Sequence, residues 1–119
     1  MKLGIDHDGA ALAVYRANHS HPAQQMDLGD VDGAVEAIRA VGHIDMLAGS
    51  PPCTDFSSAG GRVERATHAG LTVAFARIAV AVRPRVVMIE NVPELLRSHA
   101  WMEARTLLVG AGYSVLVCV

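Results

Sequence analysis

The chain has 119 residues, enough for one domain spanning residues 1–119, and its 51% apolar and 18% charged composition excludes a disordered or fibrous protein. No apolar run approaches the ~20 residues that cross a bilayer. Neither the amino-terminal "MKLGIDHDGAAL" nor the two distant cysteines indicate secretion, so we expect a cytoplasmic protein without membrane contact. A net charge of −2 is not typical of a chain that binds nucleic acid by itself.

Short apolar runs alternate with helical patterns along the chain, which favours βα units and a parallel sheet. "KLGID" predicts a first strand, and "DGAALAVYRAN" predicts the helix after it. "QQMDL" is a weak second strand. The helix that follows carries Val31, Val35 and Ile38 on one face and ends at Gly42.

The second half repeats this alternation. "IDMLA" predicts a strand, and after a Ser/Gly-rich loop Phe75 and Ile78 recur at helical spacing until Arg83-Pro84 ends the helix. "VVMIE" predicts a buried strand that leads into "NVPELL". The final "HAWMEARTLLVGAGYSVLVCV" predicts a helix, a glycine turn and a strand. The fold class is therefore α/β with a mostly parallel sheet.

Polar clusters follow four of the predicted strands. They are Asp6, Asp27, residues 50–57, and the pair Glu90 and Asn91. Ligands of open parallel sheets bind outside the carboxyl ends of the strands, so we expect these clusters to face one cleft.

Cys53 is the strongest candidate for chemistry. Pro51 and Pro52 stiffen the backbone that presents its thiol, and a polar, glycine-rich segment follows. This arrangement suits a nucleophile. The alternative is that Cys53 packs as a small apolar residue, which is the interpretation we adopt for Cys118.

Glu90 follows four apolar residues, which predicts a carboxyl at a strand end in a semi-apolar cleft. Desolvation there disfavours the charged form and would let a glutamic acid donate a proton near neutral pH. Alternatively, Glu90 caps the helix that "VPELL" begins. His19 and His21 are the closest histidine pair, but without a third ligand we interpret them as solvent-facing polarity and predict no metal site.

Two segments resemble a known family. "DMLAGSPPCTDFSSAGG" resembles the Pro-Cys nucleophile motif of cytosine-5 DNA methyltransferases, and "RPRVVMIENVPELL" resembles their Glu-Asn-Val motif. "GIDHDGAALAVYRANH" is similar to the family's second strand and helix, "MDLGDV" to its adenine-side aspartate segment, and "GYSVLVCV" to the strand after the Glu motif. The resemblance covers nearly the whole chain.

The resemblance implies a mechanism on a base flipped out of the duplex. The Cys53 thiolate would add to carbon 6 of cytosine, while Glu90 holds and protonates ring nitrogen 3. Asn91 would position the Cys53 loop. Pro52 would contact the base, and Ser57 would contact the flap or the DNA backbone.

The resemblance also implies S-adenosylmethionine as the methyl donor and a Rossmann-like three-layer sandwich. Asp6 would bind the ribose, and His7 would stack on the adenine. Asp27, with Leu28 beside it, would accept from the adenine amino group. Leu71 would lie on the cofactor side after the loop.

Four family segments have no counterpart in the chain: the Asp-x-Phe-x-Gly-x-Gly-Gly motif, the Gln-Arg-Arg motif, the target-recognition domain and the last helix that closes the cofactor site. We therefore expect a partial catalytic domain, from the second strand through the strand after Glu-Asn-Val, with a gap in its sheet. Double-stranded DNA would be bound through segments or a subunit not in this chain, in a restriction-modification setting. The chain would be a fragment, one half of a split enzyme with a complementary polypeptide, or a non-catalytic remnant; RNA as substrate stays open.

Overall fold

A computed structural model describes the backbone of residues 2–52 and 62–119, and the side chains of these residues outside 62–69. Strands and helices alternate along the chain, as predicted. The strands are β1 (Gly4–Asp6), β2 (Ala23–Gln25), β3 (Met46–Gly49) and β4 (Val86–Ile89). The α-helices are α1 (Gly9–Asn18), α2 (Val31–Ala40), α3 (Arg62–Val82) and α4 (His99–Gly110), with a 3₁₀ helix at Pro93–Arg97.

Side-chain hydrogen bonds cap the amino-terminal ends of three helices. The side chains of Asp8, Asp30 and Ser98 accept hydrogen bonds from backbone N–H groups in the first turns of α1, α2 and α4. Such caps satisfy N–H groups that have no partner within the helix. Gly42 follows α2 with a φ of 84°, the left-handed conformation that glycine adopts readily, so the predicted end of this helix is confirmed.

The described strands form two separate parallel pairs, β1 with β2 and β3 with β4. The α/β class with parallel strands is therefore confirmed. A continuous sheet is not formed by the described residues, because β1 and β3 do not hydrogen-bond to each other. Each pair consequently keeps an open edge.

Two apolar clusters hold the helices against these strands. The first joins α2 to α3 through Ala34, Val35, Ile38 and Ile78, with Ile5 and Leu47 packed against it. The second joins α3 to α4 through Ala76, Ala79, Ala104 and Leu108, with Leu47, Val87 and Ile89 packed against it. Leu47 belongs to both, so the inner face of β3 lies at the junction of the two clusters.

The outer face of the β3–β4 pair is open. Residues in both strands alternate between exposed and half-buried, as expected when one face of a strand packs on helices. Met46, Val86 and Met88 are about half exposed on this outer face, at 53%, 48% and 51%. The pair therefore presents an apolar surface to solvent.

One predicted element is wrong, because residues 113–119 form no strand. A strand needs a hydrogen-bonded neighbour, and none of the described strands pairs with this segment. Leu116 and Val119 are instead 87% and 96% exposed. The helix predicted to begin in "VPELL" is present as the 3₁₀ helix Pro93–Arg97. Among the described residues, none of the helices has the length and hydropathy required to cross a membrane.

Candidate functional site

The carboxyl ends of β3 and β4 lie side by side. Gly49 is the register partner of Ile89, and the backbone N–H of Glu90 donates to the carbonyl of Gly49 at 3.0 Å. This bond carries the ladder one residue beyond β4. The residues that leave the two strands, Ser50 and Glu90, are consequently neighbours although 40 positions separate them in sequence.

Glu90 is bonded through its side chain as well. The hydroxyl of Ser50 donates to Oε2 of Glu90 at 2.6 Å. Glu90 is exposed, so the predicted semi-apolar cleft is not formed by the described residues. The alternative role as a helix cap is also wrong, because Val92 occupies the N-cap of the 3₁₀ helix without a side-chain cap bond.

Asn91 bonds to the segment that leads to Cys53. Its Nδ2 donates to the carbonyl of Pro51 at 2.7 Å, and its Oδ1 accepts from the N–H of Val92 at 2.9 Å. Pro51 is buried and Pro52 is exposed. The amide thus joins the end of β4 to the loop after β3.

Two predicted site residues, Cys53 and Ser57, lie outside the described residues. Leu71 is half-buried in α3, and its role on the cofactor side stays a prediction. Cys118 is exposed. The interpretation of Cys118 as a packed apolar residue is therefore wrong, because the segment around it makes no strand.

A second group of predicted residues lies at the carboxyl ends of β1 and β2. Oδ1 of Asp6 accepts from the N–H of Asp8 at 2.9 Å and lies 3.3 Å from Nδ1 of His7. The N–H of Met26 donates to the carbonyl of Asp6 at 2.9 Å, which brings the segment of Asp27 beside it. Oδ1 of Asp27 accepts from the N–H of Gly29 at 2.8 Å. Each carboxylate therefore has one oxygen held by its own turn.

Side chains around this group have structural contacts. Gln25 donates from Nε2 to the carbonyl of His7 at 3.0 Å and so ties the turn after β1 to β2. Leu28 is half-buried against the α2–α3 cluster. The role of Leu28 at the cofactor stays a prediction.

The sequence placed Ser50 in a polar cluster without a role of its own, and it gave Gln25 no role. Each lies at a strand end, where a polar residue can contact the neighbouring strand. Their positions at strand ends could be predicted from the sequence. Their hydrogen-bond partners depend on the register of the paired strands, which the sequence does not give directly.

The polar clusters at the strand ends were predicted to face one cleft, but the described residues come together only within each strand pair. Glu90 and Asn91 contact residues 50 and 51, and Asp6 lies beside the segment of Asp27. Between the two pairs, Lys2 donates from Nζ to the carbonyl of His43 at 2.6 Å, near the amino ends of β1 and β3.

The predicted histidine pair packs with a tyrosine. The rings of His19 and His21 lie 5.1 Å apart, and the ring of Tyr15 lies 4.5 Å from His19. The Tyr15 hydroxyl hydrogen-bonds to Nε2 of His21. Burial, and to a lesser degree the nearby His19, lower the pKa of His21 from its ordinary value of 6.5. Residues 2–52 and 62–119, searched as far as they are described, hold no group of three metal-ligating side chains.

The parallel βα arrangement and the paired Ser50–Glu90 and Pro51–Asn91 contacts define a protein of the α/β class with a polar site at its strand ends. A family model of C-5 cytosine-specific DNA methylases matches residues 2–119. The chain belongs to this family.

Several curated relatives are similar over most of the chain. The Type II methyltransferase M.HgiDI of Herpetosiphon aurantiacus is 38% identical over 93% of the chain and 36% of its own length. M.HindV of Haemophilus influenzae is 37% identical over 88% of the chain and 34% of its own length. M.HgiGI of Herpetosiphon aurantiacus is 40% identical, covering 84% of the chain and 79% of its own length.

The chain thus spans about a third of the length of M.HgiDI and M.HindV. No solved structure matches.

Proposed function

We propose that the chain is the part of a cytosine-5 DNA methyltransferase that carries its nucleophile and its proton donor. The observation that carries this proposal is the double contact between β4 and the loop before Cys53. Glu90 bonds to Ser50 and Asn91 bonds to Pro51, so the carboxyl group is held against the same segment that presents the thiol.

The proposed chemistry begins with the thiolate of Cys53, the form of cysteine that acts as a nucleophile. Its sulfur forms a bond to carbon 6 of a flipped cytosine, and Glu90 gives a proton to ring nitrogen 3, so the ring electrons collect at carbon 5. S-adenosylmethionine would supply the methyl group that carbon 5 takes up and would leave as S-adenosylhomocysteine. A water molecule would then accept the carbon 5 proton, the bond between carbon 6 and sulfur would break to return the Cys53 thiolate, and ring nitrogen 3 would return its proton to Glu90.

Asn91 and Pro52 serve as positioning groups in this proposal. The 2.7 Å bond from Asn91 to the Pro51 carbonyl supports a role in placing the Cys53 loop. Pro52 is exposed and has no N–H, so it can contact the flipped base without requiring a hydrogen bond. Ser57 contacts the flap or the DNA backbone.

The residues at the ends of β1 and β2 fit the adenosine part of the cofactor. Within the part of the chain that the structure describes, no bond is recorded to Oδ2 of Asp6 or of Asp27, while Oδ1 of each is held by a turn. Asp6 can accept from ribose hydroxyls, and Asp27 can accept from the adenine amino group. His7 is exposed beside Asp6 and can stack on the purine. Leu28 and Leu71 complete the proposed apolar contacts.

The description of the matching family model, a C-5 cytosine-specific DNA methylase, favours DNA methylation as the activity of the whole protein. The proposed methyl transfer is tested by incubating DNA with the chain alone and with polypeptides encoded beside it. The DNA is then hydrolysed, and its 5-methylcytosine is measured by mass spectrometry. We expect 5-methylcytosine when the wild-type chain is combined with polypeptides that supply the missing family segments, none when Cys53→Ala replaces it, and unchanged amounts with the matched control Cys118→Ala. Methyl transfer that survives Cys53→Ala would refute the proposed nucleophile.

A second candidate is a partner-binding subunit of a split methyltransferase, or a remnant that binds without catalysis. The separate strand pairs and the apolar outer face of β3–β4 favour it. A partner strand between β1 and β3 would complete a Rossmann-like three-layer sandwich in a cytoplasmic complex that binds double-stranded DNA through the partner.

Sedimentation velocity tests this second candidate. We expect the chain to form a one-to-one complex with its complementary polypeptide, and Met88→Ser on the outer face to weaken it if that face is covered. The exposed His99→Ser serves as the matched control. A chain that sediments as a monomer with every neighbouring polypeptide would rule the candidate out.

A further inference from the structure

We propose that Ser50 is a positioning residue that orients the Glu90 carboxyl group toward the substrate base. This inference rests on the proposed function. It starts from the 2.6 Å bond that the Ser50 hydroxyl donates to Oε2 of Glu90. A distance of this length lies within the range of well-formed O–H···O hydrogen bonds.

The backbone makes this bond specific to one pair of residues. Gly49 and Ile89 are register partners, and the Glu90 N–H donates to the Gly49 carbonyl. The backbone of Glu90 is therefore fixed beside the residue that follows Gly49. Moving either strand by one residue would separate Ser50 from Glu90 and turn their side chains to opposite faces.

Packing does not hold the Glu90 side chain. Both Ser50 and Glu90 are exposed, so neither is confined by apolar neighbours. A free glutamate side chain samples several staggered rotamers. The bond to Ser50 is the contact that restricts Glu90 among the described residues.

The direction of the bond determines which oxygen meets the substrate. The hydroxyl of Ser50 donates, so Oε2 of Glu90 is the acceptor. Across the described part of the chain, no bond is recorded to Oε1. Oε1 is therefore the oxygen that carries the proton to ring nitrogen 3, and Ser50 makes this assignment.

The bond between Ser50 and Glu90 has a neighbour in the same two segments. The next residue, Pro51, accepts from Asn91. Two side-chain bonds thus join Glu90 and Asn91, which follow β4, to Ser50 and Pro51, which follow β3. Cys53 comes two positions after Pro51 in the sequence.

The orientation of Glu90 is measured directly by NMR, without any need for activity. Three-bond couplings along the Glu90 side chain of the carbon-labelled chain report its rotamers. We expect couplings of a single rotamer in the wild type, averaged couplings in Ser50→Ala, and recovery in Ser50→Thr, which restores the hydroxyl. Ser114→Ala is the matched control, since Ser114 is also exposed, and should leave the couplings unchanged.

Identical Glu90 couplings in the wild type and Ser50→Ala would overturn the inference. It would also be overturned if Ser50→Thr did not restore the wild-type couplings. Ser50→Cys keeps the side-chain size with a weaker donor and replaces Ser50→Ala if the alanine variant does not fold.

The consequence for catalysis is measured as the initial rate of covalent adduct formation with DNA that contains 5-fluorocytosine, in the presence of S-adenosylmethionine and of the polypeptides encoded beside the chain. We expect Ser50→Ala to react about tenfold more slowly, on the scale of one lost hydrogen bond, and Ser50→Thr to recover. An unchanged rate despite altered couplings would overturn the role of Ser50 in the reaction. Failure of the wild-type chain to react would count against the proposed function, while the couplings still decide whether Ser50 orients Glu90.

Discussion

Gly49 is the last residue of β3 and lies beside the ring of Phe75, which is buried in α3. A Cβ atom at position 49 would lie 2.4 Å from Cε2 of Phe75, so a larger residue requires the ring or the strand to shift. Overpacking of a core costs about 1–3 kcal/mol. We expect Gly49→Ala to lose free energy of unfolding in this range in a urea titration.

Gly110 provides the matched control for this prediction. It lies in α4, and an added Cβ meets no atom within 4 Å. Alanine favours a helix over glycine by roughly 0.5–1 kcal/mol, so Gly110→Ala should be neutral or stabilising. Phe75→Leu combined with Gly49→Ala should recover part of the loss. Equal losses in the two glycine variants would contradict the close contact.

His21 makes the stability of the chain depend on pH. Burial and the neighbouring His19 lower the pKa of His21 from 6.5, so between its lowered pKa and 6.5 the unfolded chain binds more protons than the folded chain. The free energy of unfolding contributed by neutral His21 is therefore fully present above pH 6.5 and decreases as the pH falls through this window.

Urea titrations across this pH range test the contribution of His21. We expect His21→Gln, which keeps an acceptor for the Tyr15 hydroxyl, to lose less stability on acidification than the wild type. His99→Gln, at an exposed histidine, is the control and should follow the wild type. If His21→Gln and the wild type lose the same free energy of unfolding on acidification, His21 is not the source of the pH dependence.

The site residues named from the sequence differ in how far their contacts could be predicted. Asn91 was expected to position the loop before Cys53, and a bond from its side chain to that loop is present. The partner of Glu90 was not expected, because the Ser50 bond depends on the register of two strands far apart in sequence. The exposure of Glu90 has the same origin, since burial is set by what covers a strand end.

At the scale of elements, Arg83 joins the ends of two helices. It follows α3 with a φ of 56°, a left-handed conformation that costs a residue with a Cβ about 1–2 kcal/mol. Its guanidinium donates to the carbonyl of Ala111 at 3.2 Å, just beyond α4. This contact places a positive charge at the negative end of the α4 dipole, which is stabilising.

The two contributions of Arg83 can be separated by two substitutions. Arg83→Ala loses the bond and keeps the backbone strain, whereas Arg83→Gly loses the bond and removes the strain. In urea titrations, we expect the free energy of unfolding of Arg83→Gly to be about 1 kcal/mol higher than that of Arg83→Ala. The opposite order would show that the strained backbone is not a cost in this chain.

The helices were predicted well because their signals are local. Asp8, Asp30 and Ser98 cap helices through atoms two or three residues away, and Gly42 ends α2 by its own conformation. The expected strand over residues 113–119 depended on a neighbour instead. Since no described strand pairs with it, its β-branched residues remain in an irregular, exposed segment.

At the scale of the whole molecule, the division into two strand pairs bears on the cofactor site. Asp6 and Asp27 lie at the end of one pair, and Glu90 lies at the end of the other. No described hydrogen bond joins the two ends, and the contacts proposed for S-adenosylmethionine cover its adenosine part. The chain alone then lacks assigned contacts to the methionine part of S-adenosylmethionine, so fewer contacts offset the entropy lost on binding.

Calorimetry measures the affinity of the chain for S-adenosylmethionine. We expect the chain alone to bind S-adenosylmethionine weakly, with a dissociation constant well above micromolar, and to bind more tightly in complex with a polypeptide that joins the two strand pairs. Asp6→Asn should weaken binding further in that complex, while Asp32→Asn, at an exposed residue of α2, should leave it unchanged. Micromolar or tighter binding by the chain alone would show that the separate pairs already form the site.

The central claim is that Cys53 is a nucleophile toward cytosine in DNA. The measurement that tests it most directly is covalent capture on DNA that contains 5-fluorocytosine, in the presence of S-adenosylmethionine, with the chain alone and with polypeptides encoded beside it. The account predicts a denaturation-resistant protein–DNA adduct whose modified peptide maps to Cys53 and which Cys53→Ala abolishes. No adduct with any of these polypeptides, or an adduct at Cys118, would contradict it.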